Sequence, residues 1–167
     1  MAILPGRLGT LAARDVMTKV VIVLSESDRI GSAISKLKES RITGAPVVDD
    51  TGKFVGILSI SDLLRTAPLD AEVAPTALAH EEGDTTWHLF ESARPLTSES
   101  ADERVRDRMS RRVTSISDGA PLVEVARVMC GGHWHRVPVV DDVGGLCGII
   151  STMDVLAALV NAADEDE

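Results

Sequence analysis

The chain has no tyrosine, and only four of its 167 residues are aromatic: Phe54, Trp87, Phe90 and Trp134. Proteins that grip single-stranded nucleic acid stack bases on aromatic rings, so that role is disfavoured. Positive charge is also scarce: 17 Lys and Arg stand against 26 Asp and Glu, a formal net charge of −9. General DNA or RNA binding needs many cationic contacts to phosphate, so nucleic acid is not an expected partner. Two cysteines, Cys130 and Cys147, are too few for a disulfide framework or a four-thiolate zinc site. Their apolar neighbours read as a setting for reduced core thiols. No apolar run approaches the roughly 18 residues of a membrane span. The opening MAILPGRLGT lacks the charged and apolar segments of a signal peptide. The expected location is the cytoplasm, with no membrane partner.

What the chain does have is ordinary apolar content, 44%, which excludes global disorder. It also has a repeat. Ala45-Pro46-Val47-Val48-Asp49-Asp50 returns as Val137-Pro138-Val139-Val140-Asp141-Asp142, 92 residues later. The same offset joins Arg14-Asp15-x-Met17 to Arg106-Asp107-x-Met109, Gly52 to Gly144, and Gly56-Ile57 to Gly148-Ile149. It also joins Ser59 to Ser151, Asp62 to Asp154 and Leu64 to Leu156. Agreement in one register without a gap marks a duplicated unit. The copies span 12–67 and 104–160, with an inserted linker over 68–103 and an acidic tail over 161–167.

Each copy has one coarse pattern. Val20–Leu24 is a β-branched run that predicts a strand. Ser25-x-x-Asp28 reads as a helix start, and Ile30, Ile34 and Leu37 share a helical face. In the second copy Leu122, Val125, Ala126 and Met129 do the same. Ala45–Val48, the Asp49–Gly52 turn and Phe54–Leu58 predict a hairpin. Ser59 then opens a second helix. The fold class is therefore α+β, or mixed α/β, built from two β-α-β-β-α repeats. A unit of about 55 residues is marginal alone, so the two are expected to share a core with pseudo-twofold symmetry.

These motifs resemble the cystathionine-β-synthase (CBS) domain: Met-Thr/Ser before an apolar strand, then PVVDD-x-G, then G-I-x-S-x-x-D. The tandem copy resembles a CBS pair, or Bateman module. The resemblance implies a regulatory module for adenosine-containing ligands, with AMP, ADP or ATP foremost and S-adenosylmethionine or NAD as alternatives; the other reading is a non-catalytic structural or dimerisation module with no nucleotide. It implies no catalytic cofactor. It also implies an effect on a partner protein of unknown identity, and a homodimer formed face to face.

Two readings of the Ser-x-x-Asp pairs stand side by side. In one, Ser59 and Ser151 cap helix N-termini as half of a capping box. In the other, the hydroxyl and the helix amides meet a phosphate, while Asp62 and Asp154 accept from a ribose diol. The family assigns Ser59 and Ser151 to phosphate or ribose and both aspartates to ribose. It places Ile22, Gly44, Ala45, Pro46, Thr114, Val137 and Pro138 around adenine. It further implies crossed sites: Ser151 and Asp154 with Ile22, Gly44, Ala45 and Pro46, and Ser59 and Asp62 with Thr114, Val137 and Pro138. With so few aromatics, aliphatic side chains and prolines must form the slot for the base.

The copies differ before proline. The first reads Arg41-Ile42-Thr43-Gly44-Ala45; the second reads His133-Trp134-His135-Arg136-Val137. His135 and Arg136 resemble the phosphate-binding position of nucleotide-binding CBS pairs, and Arg can grip phosphate bidentately. The same cluster also suits a solvated loop at a helix C-terminus, where cations are favoured. No carboxylate or thiolate completes a zinc shell around these histidines. In the insertion, Asp84–Thr86 predict a short helix burying Trp87 and Phe90, either as a packed satellite or as a lid. A Trp followed by a Phe there resembles the single-pair CBS proteins of plant chloroplasts. No nucleophile elbow, P-loop or zinc-protease signature occurs, so the chain is not expected to be an enzyme.

Overall fold

A computed structural model describes residues 9–64 and 103–164. The expected helix around Trp87 and Phe90 lies outside them. In chain order the elements are α1 (Ala13–Val16), β1 (Leu24–Ser25), α2 (Ile30–Glu39), β2 (Gly44–Val48), β3 (Phe54–Ser59) and α3 (Ile60–Leu64). The second copy gives α4 (Val105–Arg108), β4 (Ile116–Ser117), α5 (Leu122–Gly132), β5 (Arg136–Val140), β6 (Leu146–Ser151) and α6 (Thr152–Asp164). Each copy is thus β-α-β-β-α, preceded by a one-turn helix. That helix is the Arg-Asp-x-Met motif. Its aspartate accepts from the backbone N–H that precedes the turn, Ala12 to Asp15 at 2.8 Å and Arg104 to Asp107 at 2.9 Å.

Two compact units form, and neither coincides with a sequence copy. One holds residues up to Val21, the Gly52–Phe54 turn, and Thr114 onward; the other holds Ile22–Thr51 and Val55–Val113. In the latter, β1, β2 and β3 make a sheet with β1 parallel to β2, Leu24 opposite Val47. Its core is Leu24, Ile30, Ala33, Leu37, Ala45, Val47, Leu58, Ile60 and Leu63, completed by Val105 of α4 and Met109, which ends that helix. The chain around α4 is fastened by Ile30 N–H to the Glu103 carbonyl and Val105 N–H to the Asp28 carbonyl, both 2.9 Å. Arg108 meets Glu103 at 2.6 Å, and this hydrogen bond raises the guanidinium pKa above its ordinary value.

The other unit mirrors this plan. Strand β4 runs parallel to β5, and β5 antiparallel to β6, with Arg136 opposite Ser151 and Pro138 opposite Ile149. Ala13 of α1 enters a core of Ile116, Leu122, Val125, Met129, Val137, Val139, Ile150 and Ala158. Here Ala13 N–H donates to the Ala120 carbonyl at 2.8 Å and Arg14 N–H to that of Asp118 at 2.9 Å. So each Arg-Asp-x-Met turn packs into the core built by the other copy.

The repeated glycines explain how. After each short helix, the chain pairs with a hairpin strand: Ser110 exchanges hydrogen bonds with Ile57 (2.8 and 3.0 Å), and Thr18 with Ile149 (2.9 and 3.0 Å). A Cβ on Gly56 would stand 2.5 Å from the Ser110 carbonyl oxygen. On Gly148 it would stand 2.7 Å from both the Thr18 carbonyl oxygen and the Met17 sulfur. Glycine is required there because backbone meets backbone.

Several expectations need correction. Strand β1 is two residues long, and Val20 is 93% exposed; with only Leu24 and Ser25 paired to β2, the rest of the apolar run lies outside the sheet. Ser25 and Asp28 close a turn, with Ser25 N–H donating to the Asp28 carboxylate at 3.0 Å, so α2 starts two residues later, at Ile30. Cys130 is exposed because it follows the buried Met129 on the outer side of α5. The tail begins later than expected: α6 continues to Asp164, since Ala162 still packs inward.

Candidate functional site

Both Ser-x-x-Asp pairs are capping boxes. Ser59 N–H and Oγ–H donate to Asp62 Oδ2 at 2.8 and 2.6 Å, and Asp62 N–H reaches back to Ser59 Oγ at 3.3 Å. The second copy repeats this with Ser151 and Asp154 at 2.7, 2.6 and 3.2 Å. The next amide is also occupied: Ile60 N–H donates to the Thr43 carbonyl at 2.9 Å and Thr152 N–H to that of His135 at 3.0 Å. The helix starts therefore have fewer orphan donors to offer a phosphate than an uncapped terminus would. Each Ser hydroxyl must turn its single proton away from the aspartate before it can serve an anion.

The strands carry the remaining candidates. Along β2, Ala45 and Val47 face the core, and strand alternation puts Gly44 and Pro46 on the opposite face. Along β5, Val137 and Val139 face the core, which leaves Arg136 and Pro138 opposite. Ala45 and Val137 can therefore offer a ligand only backbone. Gly44 lies against the Ser/Asp turn of its own copy: a Cβ there would be 3.0 Å from the Leu58 carbonyl oxygen and 3.2 Å from Ser59 Cα. Arg136 is the register partner of Ser151 in the same way. These two contacts each join elements of one copy. The crossed sets do not share a unit: Ser151 and Asp154 belong to one, and Ile22, Gly44, Ala45 and Pro46 to the other. Ile22 and Thr114 are exposed and precede β1 and β4 rather than lying in them.

His133 ends α5 in the left-handed conformation, φ 54°, as Arg41 does after α2, φ 52°. The reading of this cluster as a helix C-terminus therefore fits His133. His135 and Arg136 lie beyond it, exposed, where β5 begins. Among the described residues no three His, Cys, Asp or Glu gather in a way that could hold a metal ion. Burial raises the Cys147 thiol pKa, with further help from the nearby Asp141 and Asp118 charges, so this thiol resists ionisation.

One participant was missed by sequence reasoning. Ser110 Oγ–H donates to Asp62 Oδ1 at 2.9 Å, and Asp62 is only 7% exposed. Its counterpart in the repeat is Thr18, which is exposed and makes no such bond to the half-buried Asp154. The signal was present, since Met-Thr and Met-Ser recur at the offset of 92, but their hydroxyls point to nothing until the fold brings Ser110 beside β3.

Comparison with known proteins matches this architecture. The family profile described as CBS domain matches residues 13–68 and 105–161. An uncharacterized protein of Methanocaldococcus jannaschii, MJ1426, is 32% identical over 153 residues, covering 88% of this chain and 90% of that protein. The chloroplastic CBS domain-containing protein CBSX2 of Arabidopsis thaliana is 29% identical over 165 residues, covering 98% of this chain and 69% of the relative. The crystal structure of CBSX2 in complex with AMP has a TM-score of 0.64 at 26% identity, over 90% of this chain and 96% of that one. Among the described residues, no helix is long and apolar enough to cross a membrane. With two profile matches at the spacing of its internal repeat, the chain belongs to the CBS domain family and carries the domain as a tandem pair.

Proposed function

We propose that the chain is a regulatory, non-catalytic module that binds an adenosine-containing ligand, with AMP, ADP or ATP as the preferred class. It passes the resulting change in conformational population to a partner protein or to its own oligomer. Asp154 is the proposed ribose acceptor, and Asp62 holds the equivalent place in the first copy. Ser151, Ser59, His135 and Arg136 are assigned to phosphate, and Pro46 and Pro138, with Ile22, Gly44, Thr114 and the backbone of Ala45 and Val137, to the base.

The observation that carries this reading lies in the second copy. Ser151, Pro138 and Arg136 share one face of the β5–β6 pair, and Asp154 follows Ser151 with, among the described residues, only Oδ2 engaged. A carboxylate oxygen with open lone pairs suits a diol, and the neighbouring guanidinium suits a phosphate. The likeness to CBSX2, crystallised with AMP, supports the same class. Arg136 favours a phosphorylated ligand over cationic S-adenosylmethionine, which is the alternative.

The same reading includes a homodimer. Met153, Leu156 and Val160 run along α6 with their side chains exposed. Sedimentation velocity should show a dimer that Leu156→Glu weakens.

Calorimetric titration with AMP, ADP, ATP, S-adenosylmethionine and NAD tests the ligand. Binding tighter than millimolar is expected for at least one nucleotide, weakened about tenfold or more by Asp154→Asn, as for loss of a charge-assisted hydrogen bond. If no compound binds the parent protein, the reading fails.

A further inference from the structure

The two aspartates are chemically identical and sit at equivalent places, yet their surroundings differ. At Asp62, Oδ2 accepts from Ser59 N–H and Oγ–H, and Oδ1 accepts from Ser110 Oγ–H. At Asp154, Oδ2 has the same two donors, while Oδ1 has no hydrogen-bond donor among the described residues. Both partner segments are held alike by backbone, Ser110 to Ile57 and Thr18 to Ile149. The difference is therefore not one of distance along the chain but of side chain. Thr carries a methyl group that restricts χ1, whereas Ser rotates freely to find the carboxylate.

We infer that Ser110 keeps Asp62 from serving as a ribose acceptor, so that the chain holds one adenosine ligand, through Asp154, and not two. This rests on the ligand class proposed above. With two donors on Oδ2 and Ser110 on Oδ1, Asp62 keeps one open lone pair, so a ribose diol that places both its hydroxyls there must displace the Ser110 hydroxyl, which then loses its acceptor in a partly buried place. By the usual cost of an unpaired buried hydroxyl, that weakens binding roughly tenfold or more. Asp154 imposes no such displacement. Ser110 is thus a specificity-determining residue that acts by occupying an acceptor.

The test has two arms. In the first, AMP, or whichever of the five compounds binds best, is titrated by calorimetry into the full chain. The parent should bind one equivalent, and Asp154→Asn should remove it. Ser110→Ala should bind a second equivalent and restore binding to Asp154→Asn. Two equivalents in the parent, one of them removed by Asp62→Asn, would overturn the inference and leave the ligand class intact. The second arm needs no ligand. A double-mutant cycle of Ser110→Ala with Asp62→Asn, read in urea, should show non-additive unfolding constants by roughly threefold or more. The cycle of Thr18→Ala with Asp154→Asn should be additive. Equal coupling in the two cycles, or none in either, removes the lock. If no compound binds the parent or Ser110→Ala, the ligand class fails, and the cycle alone then decides whether Ser110 holds Asp62.

Discussion

Asp62 and Asp154 are related by the offset of 92 that the two copies keep without a slip, and both close a capping box on the serine before them. Around them the copies diverge at two places. Gly44 precedes the first proline by two residues, and its missing side chain lets the strand lie close against Leu58 and Ser59. Arg136 precedes the second, and brings a cation beside Ser151. Ser110 engages the first aspartate, and Thr18 leaves the second alone. Duplication supplies two equal frames, and a few side chains give the two aspartates different surroundings. A shared motif is therefore a statement about a helix cap first. Under the proposed function, residues outside the motif decide which cap takes a ligand.

The comparison is broken most strongly through the cores. Met109 is fully buried in its unit, while Met17 is only partly buried in the equivalent place. Met109→Ala should cost about 3 kcal/mol, and Met17→Ala about 1 kcal/mol, read from urea midpoints at constant slope. Next come the glycines. Gly56→Ala and Gly148→Ala should each cost about 2 kcal/mol by forcing backbone apart, with Gly56→Ala the worse. Its Cβ meets only backbone atoms, whereas part of the clash at Gly148 falls on a flexible methionine. Arg136→Ala should weaken a nucleotide about tenfold, and more for ATP than for AMP, while a lysine at Gly44 should not create an equivalent site. Calorimetry of the two variants measures this.

The smallest effect concerns the thiols. Cys130 should react with iodoacetamide faster than Cys147, whose burial raises its pKa. Because the folded thiol is harder to ionise than the unfolded one, its contribution to stability is full below the unfolded pKa. That contribution is lost as pH rises through the folded value. Cys147→Ala should flatten the alkaline side of a stability–pH curve slightly.

Periodicity and turn chemistry made much of each copy legible. The hairpin around Asp49–Gly52 and the faces of α2 and α5 follow from apolar spacing, because local pattern and burial agree there. The pairing of Val20–Leu24 was not legible, since β-branched composition reports strand preference and not whether a partner is present. The one-turn helices were visible as a repeated motif, but four residues carry no period to read. The cap of Ser59 and Ser151 followed from spacing alone. The bond from Ser110 to Asp62 joins residues 48 apart in sequence, and only tertiary placement reveals it.

The exchange of short helices has a consequence for how such a chain can be divided. The compact units change over after Val21 and after Val113, two points that are themselves 92 residues apart. The unit of duplication and the unit of folding are thus out of phase. A single copy cut at its sequence boundaries would carry a helix with no core of its own to enter. A second chain would have to accept it, which is the arrangement of a swapped dimer. Tandem fusion makes that exchange intramolecular. A circular permutant opened between Val21 and Ile22 would bring each folding unit into nearly continuous sequence, at last separating the two halves that duplication left entangled.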